Sequence, residues 1–566
     1  MQEYIYYNKN GIDFPLSETI LVTKDLTDFE NDDFIVSNVN ITNTQLVANE
    51  IDFYINKSLD PIAKKIKNVE KLYEINGVKF DLAQDMTYSQ NVENRVLLVC
   101  NDEQKDQFLK HIAPKEFDLF HIHEDIIEDI NGHIGNLTIK VKDEDKFIDL
   151  NVDQIVWFDE KELGLKQSGC FDPLKSSIDD VLNQIRANVK NYEYKKITTY
   201  DKTICQYHER REEICGRCAD VCPTVAIQKD DENKHLVFSQ IDCHGCGGCV
   251  SICPSGAIDY TPSNREAISE MSRFYEDQIP LIIPDKMDIS SLNLQLKEDV
   301  LPFKIEGEKF LHEASFLTIL QESGSQIIFY TDFLSKGSKD SISILNQIYQ
   351  AKYQKDAIIV AMDPDQLQKA LEEVDFIENS KYKLNNMEMN KREQFAIRLS
   401  HIVGEDDLGV IKTGENVHYG HVKVDESKCT LCLSCVGACN VDALLADASD
   451  NTLRLNASIC TACGYCEVTC PEKDCLTIEQ DIIELKPSWF KQEILAKDEL
   501  FACVECGKEF ATKKAVEKIA SIMSPIFASD PIKQRTLYCC EDCKPKIMMK
   551  SYMENKDAYN NPQGVS

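Results

Sequence analysis

The sequence predicts an α+β multidomain protein in which an α/β domain separates two copies of one Cys-rich module. Its 566 residues correspond to three to five domains at about 150 residues each. Apart from Cys100 and Cys170, the 24 cysteines fall into three groups, at 205–253, 429–475 and 503–543. The expected parts are an N-terminal α/β domain (1–190), the first module (200–262), the central α/β domain (263–405), the second module (420–482), a C-terminal four-cysteine domain (495–550) and a flexible tail (551–566).

The composition restricts the compartment and the partners. The chain is 43% hydrophobic and 28% charged, which is typical of globular domains. Its 62 basic and 96 acidic residues give a formal charge of −34, so a phosphate backbone would repel it and no nucleic-acid binding is expected. The N-terminus lacks the pattern of a secretory signal, and no apolar run of about 18 residues predicts membrane insertion. We therefore expect a cytoplasmic protein with reduced, metal-binding thiols.

The second Cys group contains two consecutive runs with the spacing C-x2-C-x2-C-x3-C. This spacing is typical of bacterial ferredoxins, which hold two [4Fe–4S] clusters. Two-residue gaps let three thiolates converge on one cluster, while the fourth thiolate points to the neighbouring cluster. The predicted ligand sets are Cys429, Cys432, Cys435 and Cys470 for one cluster, and Cys460, Cys463, Cys466 and Cys439 for the other. Structural zinc is the alternative, although zinc cysteines usually come in C-x2-C pairs.

The first Cys group repeats seven of these eight positions at one constant offset, so that Cys215 corresponds to Cys432 and Cys253 to Cys470. The eighth equivalent position holds Glu212, and we expect the upstream Cys205 to supply the missing ligand across the loop 206–214. The predicted ligand sets are Cys205, Cys215, Cys218 and Cys253 for one cluster, and Cys243, Cys246, Cys249 and Cys222 for the other. Ligation by Glu212 or an open three-iron cluster is the alternative. Cys475 has no counterpart in the first module and is expected to pack beside a cluster rather than bind it.

The third Cys group contains two C-x2-C pairs, at 503–506 and 540–543, and one further cysteine, Cys539. Four thiolates in two pairs suit tetrahedral zinc in a closed structural site of the zinc-ribbon or treble-clef kind. The predicted ligands are Cys503, Cys506, Cys540 and Cys543, with Cys539 as the competitor of Cys540. A fifth iron–sulfur centre and disulfides are the alternatives. A helix over 512–523, with Val516, Ile519 and Met523 on one face, is expected to pack over these pairs.

The regions before and between the Cys groups are predicted to form α/β structure, and they carry no catalytic motif. Strands are expected at 96–99, 118–122 and 154–158, followed by a helix over 176–189. A second βαβ unit is expected from a strand at 326–330, a helix over 338–353 and a strand at 357–361. The turn of this unit, at 331–337, carries no Gly-rich nucleotide-binding motif. Four histidines suggest a metal site, but no carboxylate spacing completes one; they are His111, His121, His123 and His133.

The two modules resemble bacterial two-cluster ferredoxin domains throughout their Cys-rich segments. The wider layout resembles tandem-ferredoxin proteins encoded beside molybdenum-dependent formate dehydrogenases. That resemblance is carried by the Cys205 loop into Cys215-Gly216-Arg217-Cys218, the knuckle Cys503-Val504-Glu505-Cys506-Gly507-Lys508 and the pair Cys540-Glu541-Asp542-Cys543. It implies a redox partner such as a molybdenum formate dehydrogenase.

From these patterns we expect an electron carrier rather than an enzyme, since no acid, base or nucleophile is required of its side chains. The expected cofactors are four [4Fe–4S] clusters and one zinc ion. The acidic surface would favour a basic docking patch on the partner. Two other hypotheses remain open: a maturation factor for a molybdenum enzyme, with structural or redox-sensing clusters, and an enzyme whose site lies in the central domain.

Overall fold

The computed structural model describes residues 2–9, 11–24, 34–41, 44–143, 146–159, 166–385 and 389–554. It divides the chain into two compact units. The first unit is Met1–Ile402 together with Gly414–Val417, and the second is Val403–Thr413 together with His418–Ser566. The expected tail begins inside the last helix, which extends to Glu554, and the rest of that tail lies outside the described residues.

The first unit begins with a parallel sheet and a helical hairpin. The strands pair in the order β2-β1-β3-β4. They are β1 (Gln2–Tyr7), β2 (Ile20–Thr23), β3 (Phe34–Ser37) and β4 (Leu46–Val47), followed by α1 (Glu50–Lys57) and α2 (Ile62–Leu82). Tyr73 of α2 stacks on Tyr4 and donates a 2.8 Å hydrogen bond to the carbonyl oxygen of Ile5, which fixes α2 against β1.

A second parallel sheet follows, in the order β12-β11-β6-β7, with an antiparallel three-stranded sheet on one face. The elements are β5 (Met86–Gln90), β6 (Arg95–Val99), α3 (Asp102–Leu109), β7 (Asp118–Ile122), β8 (Ile127–His133), β9 (Asn136–Asp143), β10 (Lys146–Val152), β11 (Gln154–Trp157), β12 (Cys170–Phe171) and α4 (Ile178–Asn188). Strand β6 alternates its side chains: Leu98 packs against Leu182 of α4, and Leu97 packs against Leu137 of the antiparallel sheet. The predicted strands and helix of this region are confirmed.

The first module follows as two short β-pairs and two short helices. Its elements are β13 (Tyr192–Lys196), β14 (Thr198–Tyr200), α5 (Arg217–Asp220), β15 (Ile227–Asp230), β16 (His235–Phe238), α6 (Gly248–Ile252) and β17 (Ile258–Tyr260). Strand β14 pairs with β17, and β15 pairs with β16, both antiparallel, while β13 pairs back to β5. The Cys-rich loops therefore lie between strands that hold them from both ends.

The central domain is a four-stranded parallel sheet in the order β19-β18-β20-β21. Its elements are α7 (Arg265–Arg273), β18 (Ile279–Pro284), β19 (Val300–Ile305), α8 (Glu313–Ser323), β20 (Ile327–Tyr330), α9 (Lys336–Tyr353), β21 (Ile358–Ala361), α10 (Pro364–Glu373) and α11 (Lys391–Val403). The predicted βαβ unit is confirmed as β20, α9 and β21. Helix α2 also packs here: Asn68 donates a 3.1 Å hydrogen bond to Gln278.

The second unit contains the second module and the four-cysteine domain. Its elements are β22 (Val410–Lys412), β23 (Gly420–Val424), α12 (Ser434–Ala438), β24 (Leu444–Asp447), β25 (Thr452–Asn456), α13 (Tyr465–Thr469), β26 (Leu476–Gln480), β27 (Ile482–Glu484), β28 (Gln492–Lys497), β29 (Leu500–Ala502), β30 (Glu509–Thr512), α14 (Lys513–Met523), α15 (Pro531–Thr536) and α16 (Cys543–Glu554). The pairs β23–β26 and β24–β25 reproduce β14–β17 and β15–β16 of the first module. Helices α12 and α13 begin at the positions that are equivalent to the starts of α5 and α6, so the sequence repeat is also a structural repeat.

Helix α14 corrects one expectation. It buries Val516 and Ala520, whereas Ile519 is 55% exposed, so the predicted apolar face was wrong at that residue. The Cys pairs of the four-cysteine domain are packed instead by Phe510 and Ile547. None of the helices among the described residues is long and apolar enough to cross a membrane.

Candidate cluster and metal sites

The first module brings Cys205 together with three cysteines of the two runs. Burial raises the pKa of Cys218 well above its usual value, and the neighbouring thiols of Cys253 and Cys215 raise it further. Cys205 contributes to the same effect and is buried. Glu212 is exposed. The loop 206–214 thus returns the chain so that the Cys205 thiol faces Cys218.

The remaining four thiols of the first module surround one small cavity. They are Cys222, Cys243, Cys246 and Cys249. Burial raises the pKa of Cys249 well above its usual value, and Cys243 and Cys246 add to the effect. His244 lies on the cavity wall, and burial followed by the charge of Lys286 lowers its pKa. The fourth Cys of the first run therefore joins three cysteines of the second run.

The second module repeats this crossed arrangement. A small cavity is lined by Cys429, Cys432, Cys435 and Cys470, and also by Cys475. Burial, with the neighbouring Cys429 and Cys432, raises the pKa of Cys435 to about 12. Cys432 is exposed, whereas Cys429 and Cys435 are buried.

The last four thiols of the second module form a similar group. Burial raises the pKa of Cys466, and the thiols of Cys460, Cys463 and Cys439 add to the effect. Burial likewise raises the pKa of Cys439, which faces Cys463. Cys439 comes from the first run, so both crossings expected from the spacing are present in the positions of the side chains.

The backbone of the C-x2-C gaps explains how these thiols converge. In the left-handed region lie the gap residues Gly216, Gly245, Gly247, Leu431, Leu433, Ala462 and Gly464. A left-handed residue reverses the chain locally and can turn an amide toward the preceding sulfur. The N–H groups of Gly245 and Ala462 donate to the Sγ atoms of Cys243 and Cys460, both at 3.4 Å. Gly245 and Ala462 occupy equivalent positions of the repeat.

The donor sets fit [4Fe–4S] clusters. Each set offers four soft thiolate ligands in a largely buried site, with backbone N–H groups directed at sulfur, which is the environment that such clusters require. The raised pKa values favour protonated thiols when iron is absent, so iron binding must displace these protons. Clusters of this kind each accept and release one electron.

The four-cysteine domain brings its predicted ligands together. Cys503, Cys506, Cys540 and Cys543 each offer a sulfur atom, and these atoms all lie within 4.8 Å of one another. The Sγ atoms of Cys506 and Cys540 are 3.7 Å apart. The Sγ of Cys539 instead lies 3.3 Å from the carbonyl oxygen of Arg535, so Cys540 is the member of this pair that joins the group. Four thiols in a closed set fit structural zinc.

Two groups near the clusters were not found from the sequence. Lys391, at the start of α11, is buried and lies 3.1 Å from the carbonyl oxygen of Cys253 and 3.1 Å from the carboxylate of Glu313. The neighbouring Arg392 donates a 2.6 Å hydrogen bond to the carbonyl oxygen of Pro254. No pattern could have signalled this contact, because Lys391 and Cys253 are far apart in the chain.

The four histidines separate into different environments. His111 contacts Asp179 at 2.8 Å, and His133 contacts the carbonyl oxygen of Ile134 at 3.0 Å. His121 and His123 lie together, with Asp102 as a nearby carboxylate. No carboxylate spacing in the sequence marks this group, because the pairing of β6 with β7 is what brings Asp102 to His121.

Comparison with known families identifies both modules. Two family models match the chain, each described as a 4Fe–4S dicluster domain, over residues 189–269 and 421–471. The fold and the thiol sets thus define a tandem ferredoxin-type iron–sulfur protein. Its dicluster domains support a role in electron transfer. No curated protein matches the chain.

Proposed function

We propose that this protein carries single electrons on four [4Fe–4S] clusters, two in each module. The ligands proposed for the first module are Cys205, Cys215, Cys218 and Cys253, and Cys222, Cys243, Cys246 and Cys249. Those proposed for the second module are Cys429, Cys432, Cys435 and Cys470, and Cys439, Cys460, Cys463 and Cys466. The observation that carries this proposal is the crossed grouping of thiols, which occurs twice. A structural zinc site would not require a thiol of one run to join three thiols of the other run.

The residues around the thiols hold the clusters and exclude water. Ala226, Ile227 and Phe238 line the first cavity, and Val424, Leu453 and Leu476 line that of the second module. Apolar walls and N–H groups directed at sulfur set the reduction potential of a cluster. No side chain of either module is required to act as an acid or a base.

Electron exchange is proposed to occur at Cys432. Among the sixteen proposed ligands, all of which lie in the described ranges, Cys432 is the exposed one. The next residue, Leu433, is 41% exposed, and Val468 of α13 is 47% exposed. An exposed ligand beside the apolar Leu433 permits close approach of a partner protein, and electron transfer requires such proximity.

The proposed partner is an oxidoreductase with a basic docking patch, because the chain has a formal charge of −34. A molybdenum formate dehydrogenase is the first partner to test, on the grounds of the resemblance in layout. The charge attraction implies that the association weakens as ionic strength rises.

The four-cysteine domain is proposed to bind one structural zinc ion through Cys503, Cys506, Cys540 and Cys543. The hairpin β29–β30 presents the first pair, and Cys543 begins α16, an arrangement of the treble-clef kind. Removal of the zinc by a chelator should unfold this domain without changing the iron content, because structural zinc supplies folding free energy directly.

A metal count tests the cluster number. Anaerobically purified protein should contain about sixteen iron and sixteen sulfide per chain, as four [4Fe–4S] clusters require, and about one zinc. About eight iron would overturn one module. Cys205→Ala should convert or remove one cluster of the first module, whereas Glu212→Ala, the matched control, should leave the EPR spectrum unchanged. The opposite result would assign Glu212 as the ligand.

A redox titration followed by EPR tests the function. Reduction by dithionite and subsequent oxidation by a partner enzyme at turnover rates would support the carrier role. Clusters that stay oxidised, or that reduce but exchange no electrons with the partner, would favour the second hypothesis, a maturation factor for a molybdenum enzyme.

A further inference from the structure

We propose that Asp102, His121 and His123 form a binding site for a divalent first-row transition metal ion, separate from the cysteine sites. Each residue offers one ligand atom, and the three atoms lie within 4.8 Å of one another. The group lies in the second parallel sheet of the first unit, and none of its residues takes part in the cysteine groups.

The strand pairing explains why these residues meet. Leu98 of β6 pairs with His121 of β7, and the two strands run parallel. Asp102 begins α3, just after β6 ends, and His123 follows β7 directly. The site therefore lies at the carboxyl edge of a parallel sheet, where open α/β sheets most often bind ligands.

The two histidines share one face of the chain. They are separated by one residue in extended backbone, so their side chains point to the same side. Their ring centroids lie 5.3 Å apart. The intervening Ile122 points to the opposite side, where it packs against the core that β6 shares with the antiparallel sheet.

The tautomer of His121 is fixed by a hydrogen bond. Its Nε2 lies 3.0 Å from the carbonyl oxygen of Cys100, which can only accept. Nε2 therefore donates, and the lone pair of the neutral ring remains on Nδ1. A histidine that binds a metal through one nitrogen commonly donates the other N–H to a backbone carbonyl, which holds the ring in position.

Asp102 is not required as the cap of α3. The side chain of Asn101 accepts a 2.9 Å hydrogen bond from the amide of Gln104, and the Gln104 side chain accepts one from the amide of Asn101, so that a capping box closes the helix. The carboxylate of Asp102 is exposed beside the histidines.

The donor set selects the ion. Two imidazoles and one carboxylate suit Zn²⁺, Ni²⁺, Co²⁺ or Fe²⁺, whereas Mg²⁺ and Ca²⁺ prefer oxygen ligands. Metal–nitrogen bonds of about 2.0–2.1 Å place tetrahedral ligand atoms about 3.3 Å apart. Small rotations of the exposed side chains would close the group around an ion. Three protein ligands leave a coordination position open for water or a small molecule.

Equilibrium dialysis of the full-length holoprotein against Ni²⁺, with iron, zinc and nickel counted by mass spectrometry, tests this site. The wild type should retain one Ni²⁺ per chain at unchanged iron and zinc content, and excess Mg²⁺ should not displace it. His123→Ala and Asp102→Asn should each weaken Ni²⁺ binding by at least the roughly tenfold that the loss of an outer-shell partner costs. Both residues are exposed, so neither substitution disturbs the core.

The matched control is His111→Ala, which removes a histidine of the same domain that faces a single carboxylate, Asp179. It should bind Ni²⁺ like the wild type. Equal Ni²⁺ binding by the wild type and His123→Ala would overturn the site, and so would an equal loss in His111→Ala. Because iron and zinc are counted in the same samples, failure of this site is distinguishable from failure of the cysteine sites.

Discussion

The two modules share the same Cys spacing and β-pairing, but their surroundings differ. The first module is enclosed by the central domain, whose Lys309 donates a 2.9 Å backbone hydrogen bond to Cys246 and whose Lys391 contacts the carbonyl oxygen of Cys253. The second module leaves Cys432 exposed. The geometry of the cysteine ligands is therefore determined within each module. The solvent exposure of those ligands and the charges near them depend on the residues that pack around the module.

A pair of equivalent glycines shows how closely the surrounding residues pack against each module. Gly247 and Gly464 are both left-handed, at φ 78° and 86°. A Cβ on Gly247 would lie 2.4 Å from the Cβ of Phe310, whereas a Cβ on Gly464 would meet no atom within 4 Å. Packing requires glycine at the first position, whereas at the second position the left-handed conformation only favours it, as Leu433 and Ala462 show in the other gaps.

The largest effect is expected from Lys391→Met. The substitution removes the ion pair of the buried Glu313 with Lys391 and the hydrogen bonds to the loop of Cys253, which should cost about 3–5 kcal/mol. Urea unfolding and iron analysis should show a less stable first unit and iron loss from the first module. The double variant Lys391→Met/Glu313→Gln, which removes both charges, should recover part of the stability. A cost below about 1 kcal/mol would show that this pair does not hold the loop.

The second-largest effect is expected as a difference in stability between Gly247→Ala and Gly464→Ala. Both introduce the left-handed strain of about 1–2 kcal/mol, but Gly247→Ala adds overpacking of about 1–3 kcal/mol against Phe310. The free energy of unfolding and the iron content of each variant measure the difference. Equal costs would mean that the central domain does not constrain the first module.

Exposure of Cys432 should make its cluster site the first to react with a water-soluble oxidant. Brief ferricyanide treatment followed by iodoacetamide and peptide mass spectrometry should label Cys432 and Cys435 several-fold faster than their counterparts Cys215 and Cys218. Cys215 is half-buried and Cys218 is buried, so water reaches them less readily. If Cys215 and Cys218 were labelled as fast as Cys432 and Cys435, the two modules would not differ in solvent access.

The smallest effect is expected from Cys475→Ala, which installs the residue found at the structurally equivalent position 257: the carbonyl oxygens of Ala257 and Cys475 accept matching 2.7 Å hydrogen bonds from the amides of Asp201 and Asp425. The buried Cys475 lies beside Cys429 and Cys470, close enough to hydrogen-bond to either sulfur. Loss of a donor to sulfur should lower the reduction potential of one cluster while the iron content stays constant. Cys475→Ser, which retains a donor, is the control. Loss of iron in Cys475→Ala would instead identify Cys475 as a ligand.

The sequence predicted what depends on short-range spacing. The strand 96–99, the βαβ unit from β20 to β21 and the grouping within each Cys run follow from periodicity and fixed gaps. Ile519 was placed on the wrong face because helical periodicity does not say which side of a short helix is covered. Neither the approach of Lys391 to Cys253 nor that of Asp102 to His121 leaves a local signal, since strand order and packing create both.

The amide donors of Gly245 and Ala462 belong to the main chain, so almost any amino acid can supply them. The two modules can thus diverge in sequence without losing the hydrogen bonds that these sulfur atoms accept. Only proline is barred from both positions, because it has no N–H and cannot adopt a positive φ. Because the donors are peptide groups, glycine in one module and alanine in the other place their N–H groups at the same distance from sulfur.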